Sequence, residues 1–490
     1  MSKLIRVFYL KIASAVLVLQ IFTNTSAQDI IATVKVDKRL PQATEINGRF
    51  SDSGLKKRGR NLSFLLDYAE VKNLGGRISE VKLFGSDGRI VACRRMIDGE
   101  YLASDDYSAF SYKASAEPTK TSALAHVSWI SDDSGILMFG DLFPQFSLEN
   151  KVSAKVQFDL PTGWEVQSSE AFSGRNVFET NDIEHAVFFV GTDWRNHLVE
   201  GIPASVAITG EREFSDDEAA QSVREIYLEY RKIFGGDPAA KMQIAVAPLS
   251  ENSQTGQWYA ETRGTTVTIV SADLPFKMQS MQRLHEQLRH EIFHLWLPSG
   301  VNLKGKYDWF YEGFALYESL KTGVRLNRIR FDDFLDTLSR AHRYDGAIPP
   351  RESLVEASKN RWSGGNDRVY ARGMLVAFLC DIAMLQRSKG KRSVENLFRD
   401  LYTVGRRQTA LNDANAVVLK LLNSNRELVT IVDKYVSGTQ PIDWANELGA
   451  AGIVAGSSGL TIAAKPNGGQ RALLDKLGYN NWRKLNRNSK

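Results

Sequence analysis

Cysteine is almost absent from this chain, with 2 in 490 residues. That excludes a disulfide-stapled scaffold and a cysteine-rich zinc module. Proline is scarce at 13, and glycine at 37 is ordinary, which excludes collagen-like and low-complexity chains. A surplus of one charge is also lacking. Lys and Arg number 62 against 57 Asp and Glu, a net +5. For this length that does not suggest a nucleic-acid binder, and no basic and aromatic stripe appears outside the last few residues. Histidine is rare, with 7 in the whole chain. Long apolar runs are missing except at the start.

What is present describes a folded, multidomain protein. The chain is 43% hydrophobic and 10% aromatic, too apolar for disorder. At roughly 150 residues per domain its length suggests about three domains. Lys3, Arg6 and Lys11 precede the apolar stretch Ile12 to Phe22, and Thr25-Ser26-Ala27 follows. This is the order of a secretory signal, predicted to span residues 1–27. The apolar stretch is 11 residues, where a spanning helix needs ~20. The mature chain is therefore expected to be exported, periplasmic or secreted, with no stable membrane insertion. No cysteine follows the run, so no lipid anchor is expected. The signal carries three basic residues and no acidic one, so the mature chain has 59 basic against 57 acidic residues and is nearly neutral. Cys380 lies in an apolar helical stretch and reads as a packed thiol rather than half of a bridge to Cys93.

Residues 28–212 read as a β-domain. Val152, Ala154, Val156, Phe158 and Leu160 alternate with polar neighbours, the period of a half-buried strand. Ala125–Ile130 and His185–Val190 are further candidates. Turn-rich clusters separate these runs, as in a β-sandwich. Lys56-Lys57-Arg58-Gly59-Arg60 reads as a solvated loop. Near residue 213 the texture changes. Ser215-Asp216-Asp217-Glu218 looks like a helix start, with Gly235-Gly236 as its stop. Strands are expected near Met242–Ala247 and Thr265–Val270, and helices from about 279 onward. The fold class is thus multidomain α+β, with the second domain spanning 213–449. Residues 450–490, rich in Gly, Asn and Lys, read as a loosely docked tail.

The chemistry concentrates in His290-Glu291-Ile292-Phe293-His294. On a helix, positions i and i+4 share a face, so both imidazoles can bind one zinc ion, and the adjacent Glu291 can act as a base toward a water there. Leu284, Leu288, Ile292 and Leu295 form an apolar stripe, with His290 and His294 on roughly the opposite side, beside Arg283 and Gln287. That suits the wall of a cleft. A catalytic zinc takes three protein ligands. No further histidine follows until His342, but Glu312 lies 18 positions after His294, within Trp309-Phe310-Tyr311-Glu312-Gly313-Phe314. A carboxylate amid apolar residues is costly unless a cation compensates it. Further on, Met374 to Leu385 is apolar almost all round and is expected to be a buried helix. Tyr370 stands at its start, where a phenol could donate to a developing oxyanion. Arg372 beside it reads as paired with an acid.

These residues carry a family resemblance. The zinc motif followed by the Trp309–Phe314 segment resembles the gluzincin aminopeptidases, most of all the glycyl aminopeptidase family and more distantly aminopeptidase N. Asp141-Leu142-Phe143-Pro144, Leu160-Pro161-Thr162-Gly163-Trp164, His294-Leu295-Trp296 and Tyr370-Ala371-Arg372-Gly373 resemble further pieces of that family. The resemblance covers about residues 130 to 450. It implies a β-sandwich-like domain followed by a thermolysin-like, mainly helical peptidase domain. It also implies one Zn2+ per chain on His290, His294 and Glu312, Glu291 as general base, and Tyr370 stabilising the tetrahedral intermediate. Peptides would be the substrates, attacked from small N-terminal residues. Three departures accompany it. The gap before Glu312 is one residue shorter than in aminopeptidase N. The family's Gly-Gly-Leu-Glu-His stretch is replaced by Trp258-Tyr259-Ala260-Glu261-Thr262-Arg263, where Glu261 aligns with the glutamate that holds the substrate amine. Too few residues follow Gly449 for a PDZ domain. Two other readings stay open: a zinc endopeptidase on exported proteins, and an exported binding protein with a silent zinc site. No feature of the sequence sets an oligomeric state.

Overall fold

The computed structural model describes residues 28–481 except 40, 58, 70, 119–122, 147–150, 239–240, 250–252, 273, 348–351, 408–412 and 457–458. The expected signal peptide, Arg58 of the basic cluster and the chain's end from 482 onward lie outside the described residues.

The first domain is built of alternation. In Ile30–Asp37 buried and exposed residues alternate along the strand, and Ala43–Phe50 pairs with it antiparallel. They are two adjacent strands of an eight-stranded sheet. Ala154–Asp159, predicted from its period of two, pairs parallel to the first of them. A second sheet of four strands contains Ser134–Met138 and Val187–Gly191, which are buried on both faces. Leu137, Phe188 and Val190 pack toward the large sheet, sharing a core with Ile30, Val34 and Phe158. Ile136, Met138, Val187 and Phe189 pack the other way, onto Ala207, Ala245 and Val270 of the next domain. Those strands are continuously apolar because each face meets a different core. The Ala125–Ile130 candidate is strand only at Trp129–Ile130.

A five-stranded sheet opens the second domain, in the order Arg195–Leu198, Ala204–Ile208, Met242–Pro248, Thr266–Ser271, Trp258–Arg263. Its first two strands lie before residue 213, in the stretch read from the sequence as part of the first domain. Ala204–Ile208 pairs parallel with Met242–Pro248, and helix α1 (Asp216–Phe234) is the crossover between them. A short apolar strand carries no mark of a partner that lies beyond the next helix, so the sequence could not assign it. Helix α1 begins as expected: Ser215 and Glu218 form a capping box, and Gly235 closes the helix at φ 78°.

Helices α2 (Lys277–His294), α3 (Asp308–Arg325), α4 (Phe331–Ala347) and α5 (Asn366–Arg387) follow. Helix α5 is the expected buried helix, with Leu375 to Cys380 between 0 and 1% exposed. Cys93 and Cys380 are both free thiols. The expected loose tail is a correction. Ile453–Gly456 and Gly459–Ile462 pair as a hairpin, and Gly468–Leu477 is a helix with its own capping box. Leu473, Leu474 and Leu477 are buried in the main helical core. Their i, i+1, i+4 spacing is a helix face, obscured by the Gly- and Asn-rich composition around it.

Candidate metal centre

Helix α2 is anchored by Leu284, Leu288 and Ile292, all fully buried. One turn apart on it, His290 and His294 bring their rings to 4.7 Å. The face that carries them is more enclosed than an open cleft wall. His294 is 6% exposed, Glu291 5% and Arg289 2%. Neighbouring elements cover it, and Arg289 donates to the Ser319 carbonyl of α3 at 2.8 Å.

Helix α3 supplies Glu312. Its Oε2 lies 3.2 Å from His290 Nε2 and 3.3 Å from His294 Nε2, and the two imidazole nitrogens are 3.1 Å apart. Among the described residues this is the one such trio of potential metal donors. Donors this far apart share a central point roughly 1.9 Å from each, just inside the Zn–N and Zn–O bond lengths of ~2.0–2.2 Å. Two imidazoles and a carboxylate are donors that suit zinc. His294 Nδ1 donates to the Leu297 carbonyl at 3.0 Å, so in the neutral ring the lone pair is on Nε2, which faces His290 and Glu312. The residues therefore fit a zinc ion. Burial opposes the charge on Glu312, but Arg361, then His294 and His290, outweigh it and hold its carboxyl well below the usual range. Burial likewise opposes the charged form of His294, and Glu312 more than offsets it, raising its affinity for a proton.

Glu291 is held from the edge strand Trp258–Arg263. The Thr262 hydroxyl lies within donating distance of Glu291 Oε2, at 2.7 Å, and of the Glu291 carbonyl, at 2.9 Å. The Glu291 charge reaches both His294 and Tyr370.

Tyr370, in the first turn of α5, is brought to the centre, its ring 6.4 Å from that of His290. Burial, then the Glu312 charge, pushes its hydroxyl well above the ordinary phenol range, so it stays protonated and able to donate. Arg361 donates to that hydroxyl at 2.7 Å.

Glu261 points away from Thr262, as neighbours on a strand must, and meets the first domain. His126 and Tyr68 bond its carboxylate, and Arg263 Nε donates to it at 2.9 Å. Burial opposes its charge, but Arg263, His126 and Tyr68 lower its pKa to about 2. The Arg263 guanidinium sits over the Tyr68 ring at 4.4 Å. Glu261 thus lies beside the centre with its charge already matched. Arg372 is paired with Asp345 at 3.0 Å, as expected, and also bonds two backbone carbonyls.

Nothing in the sequence singles out Thr262 or Arg361. Thr262 stands in the Trp258–Arg263 stretch only as a departure from a motif. Arg361 sits in a turn, where no periodicity marks it.

No family profile matches the chain, and no curated protein sequence matches it. Solved structures do. An aminopeptidase N family protein from Idiomarina loihiensis is similar with a TM-score of 0.71 at 13% identity, over 87% of this chain and 78% of that one. An M1 zinc metallopeptidase from Deinococcus radiodurans, a mutant bound to a Tyr-Ser-Ala substrate, gives a TM-score of 0.55 at 14% identity, over 84% and 93%. The same enzyme without the mutation gives 0.52 at 13%. At this identity the likeness is one of fold: this chain is a multidomain α+β protein with the fold of these structures.

Proposed function

We propose that the chain is an exported zinc-dependent peptidase of the gluzincin type. The observation that carries this is the convergence of His290, His294 and Glu312 at 3.1 to 3.3 Å, with Glu291 and Tyr370 close by. A zinc ion held by that trio would supply Lewis acidity toward a water and the scissile carbonyl. The remaining work falls to the chain. Glu291, fixed by Thr262, takes the proton of the attacking water at its carboxylate and delivers it to the leaving amine. The Tyr370 hydroxyl donates to the carbonyl oxygen as negative charge develops there. Burial of these groups keeps bulk water out and strengthens each contact.

The family resemblance and the names of the structural neighbours support an aminopeptidase, acting on small N-terminal residues with Glu261 holding the amine. One observation favours a second reading, an endopeptidase. Arg263, His126 and Tyr68 already satisfy Glu261, so a substrate ammonium would have to displace a built-in cation. A silent binding protein is the least favoured reading, because the general base is present and oriented.

Digestion of a peptide library by the purified mature chain, with and without chelator, tests the proposal. Cleavage that stops on metal removal and returns with Zn2+ is expected. Metal binding with no cleavage of any peptide would leave the binding-protein reading.

A further inference from the structure

Arg361 lies outside every motif, yet it touches two groups at the metal centre, Glu312 and Tyr370. It sits in the turn before α5, with its side chain 11% exposed. Its Nη1 is 3.0 Å from Glu312 Oε1 and 2.9 Å from Asp308 Oδ1. Its Nη2 donates to the Tyr370 hydroxyl at 2.7 Å, and its Nε to Asn366 Oδ1 at 3.2 Å. The guanidinium is also stacked over Trp362 at 4.5 Å.

The four partners have a pattern. Asp308 and Glu312 are one turn apart on α3, and Asn366 and Tyr370 are one turn apart on α5. One planar fork therefore joins the first turns of the two helices that bring the third metal donor and the phenol. A lysine, a single point charge, cannot hold all four.

We propose that Arg361 is a positioning residue for the hydrolysis, a role that rests on the peptidase reading above. It does two things. By holding Glu312 Oε1 it leaves Oε2, the oxygen nearest both histidines, as the one presented to the metal. By donating to the Tyr370 oxygen it occupies an acceptor side of that hydroxyl, so the phenolic proton is left for Glu312, with which the hydroxyl also bonds. Three of the five guanidinium N–H groups donate to fixed partners, and the charge is also paired with Glu312 Oε1. Arg361 is thus poorly placed to hold a substrate carboxylate, and it acts through Glu312 and Tyr370.

Three variants of the full mature chain test this: R361M, R361K and Y370F, with the double variant R361M/Y370F. Zn2+ affinity, read by competition with a chromophoric chelator, is expected to fall about 10- to 100-fold in R361M, and to be partly restored in R361K. This arm needs no activity, so it decides the Glu312 half even if no peptide is cleaved. At saturating Zn2+, R361M is expected to lose about 10- to 100-fold in kcat with KM within about threefold. The double variant is expected to lose clearly less than the product of the two single losses, because both substitutions remove the oriented Tyr370 hydroxyl. Unchanged Zn2+ affinity in R361M overturns the proposal. So does a rise in KM with kcat preserved, which marks a substrate-binding group, or losses that multiply in the double variant. If R361M fails to fold by circular dichroism, R361K decides: parental affinity and kcat in R361K contradict the need for the fork.

Discussion

Gly313 and Gly373 meet where α3 crosses α5: a methyl group added to Gly313 would lie 2.4 Å from the Gly373 Cα. No side chain fits there. One glycine follows Glu312 directly, and the other lies three residues after Tyr370. The close crossing brings Glu312 and Tyr370 to the same place. It also explains why both sequence segments carry glycine inside a helix, where glycine otherwise costs stability.

The substitution G313A should therefore do more than destabilise. Forcing the helices apart is expected to cost about 1–3 kcal/mol and to weaken Zn2+ binding, because Glu312 moves with its neighbour. Chemical unfolding and chelator competition measure both. A stable variant with parental Zn2+ affinity would show that the crossing does not set the centre.

The Thr262 contact predicts a separable effect. T262V keeps the side-chain shape and removes the hydroxyl that holds Glu291. We expect kcat to fall about 10- to 100-fold with bound zinc and KM little changed, in line with the usual cost of losing an outer-shell partner. Steady-state kinetics with metal analysis checks this, and a parental kcat would remove Thr262 from the machinery.

The surroundings of Glu261 separate the exopeptidase and endopeptidase readings. Because its carboxylate is already matched by Arg263, His126 and Tyr68, acetylating a peptide's N-terminus should cost the parent less than about threefold in kcat/KM. In R263M the carboxylate regains an unmet charge, and preference for a free amine should rise. A loss of about 100-fold on acetylation in the parent would favour the aminopeptidase reading instead.

A buried acid behind the centre gives a pH dependence. Glu318 on α3 is fully buried and its Oε2 has no hydrogen-bond partner. Burial, then the charge of Glu395, raises its pKa to about 8. A carboxyl raised above its unfolded value favours the fold while protonated, so its contribution is present below pH ~4.5 and is lost as pH rises through about 8. E318Q should remove that loss, so its stability should fall less steeply than the parent's as pH rises from 5 to 9. Thermal melts from pH 5 to 9 test it. A variant with the parent's pH slope would contradict the assignment.

How much of this was legible in the sequence depended on range. His290, Glu291 and His294 lie within one turn and a half of helix, so spacing alone places them on α2. Ser215, Glu218 and Gly235 are local caps, and α1 begins and ends where they stand. Glu312 needed an argument about an uncompensated charge, and Tyr370 one about a helix start. Thr262 and Arg361 were not legible. Thr262 acts on Glu291, and Arg361 on Glu312 and Asp308, all distant in sequence and on other elements. The strands at 195–198 and 204–208 read as part of the first domain for the same reason: a sheet partner leaves no local trace. The C-terminal helix was hidden by composition, which reports solvent exposure on average and not the one face that packs.

The proposed hydrolysis turns on Glu291, and E291Q tests it most directly. The amide keeps the shape of the side chain and cannot accept the water's proton. The purified variant should bind one Zn2+ per chain with the parent's affinity, and peptide hydrolysis should fall by at least about 1,000-fold, in keeping with loss of a general base. An E291Q protein that binds zinc and cleaves peptides at the parent's rate would contradict the mechanism.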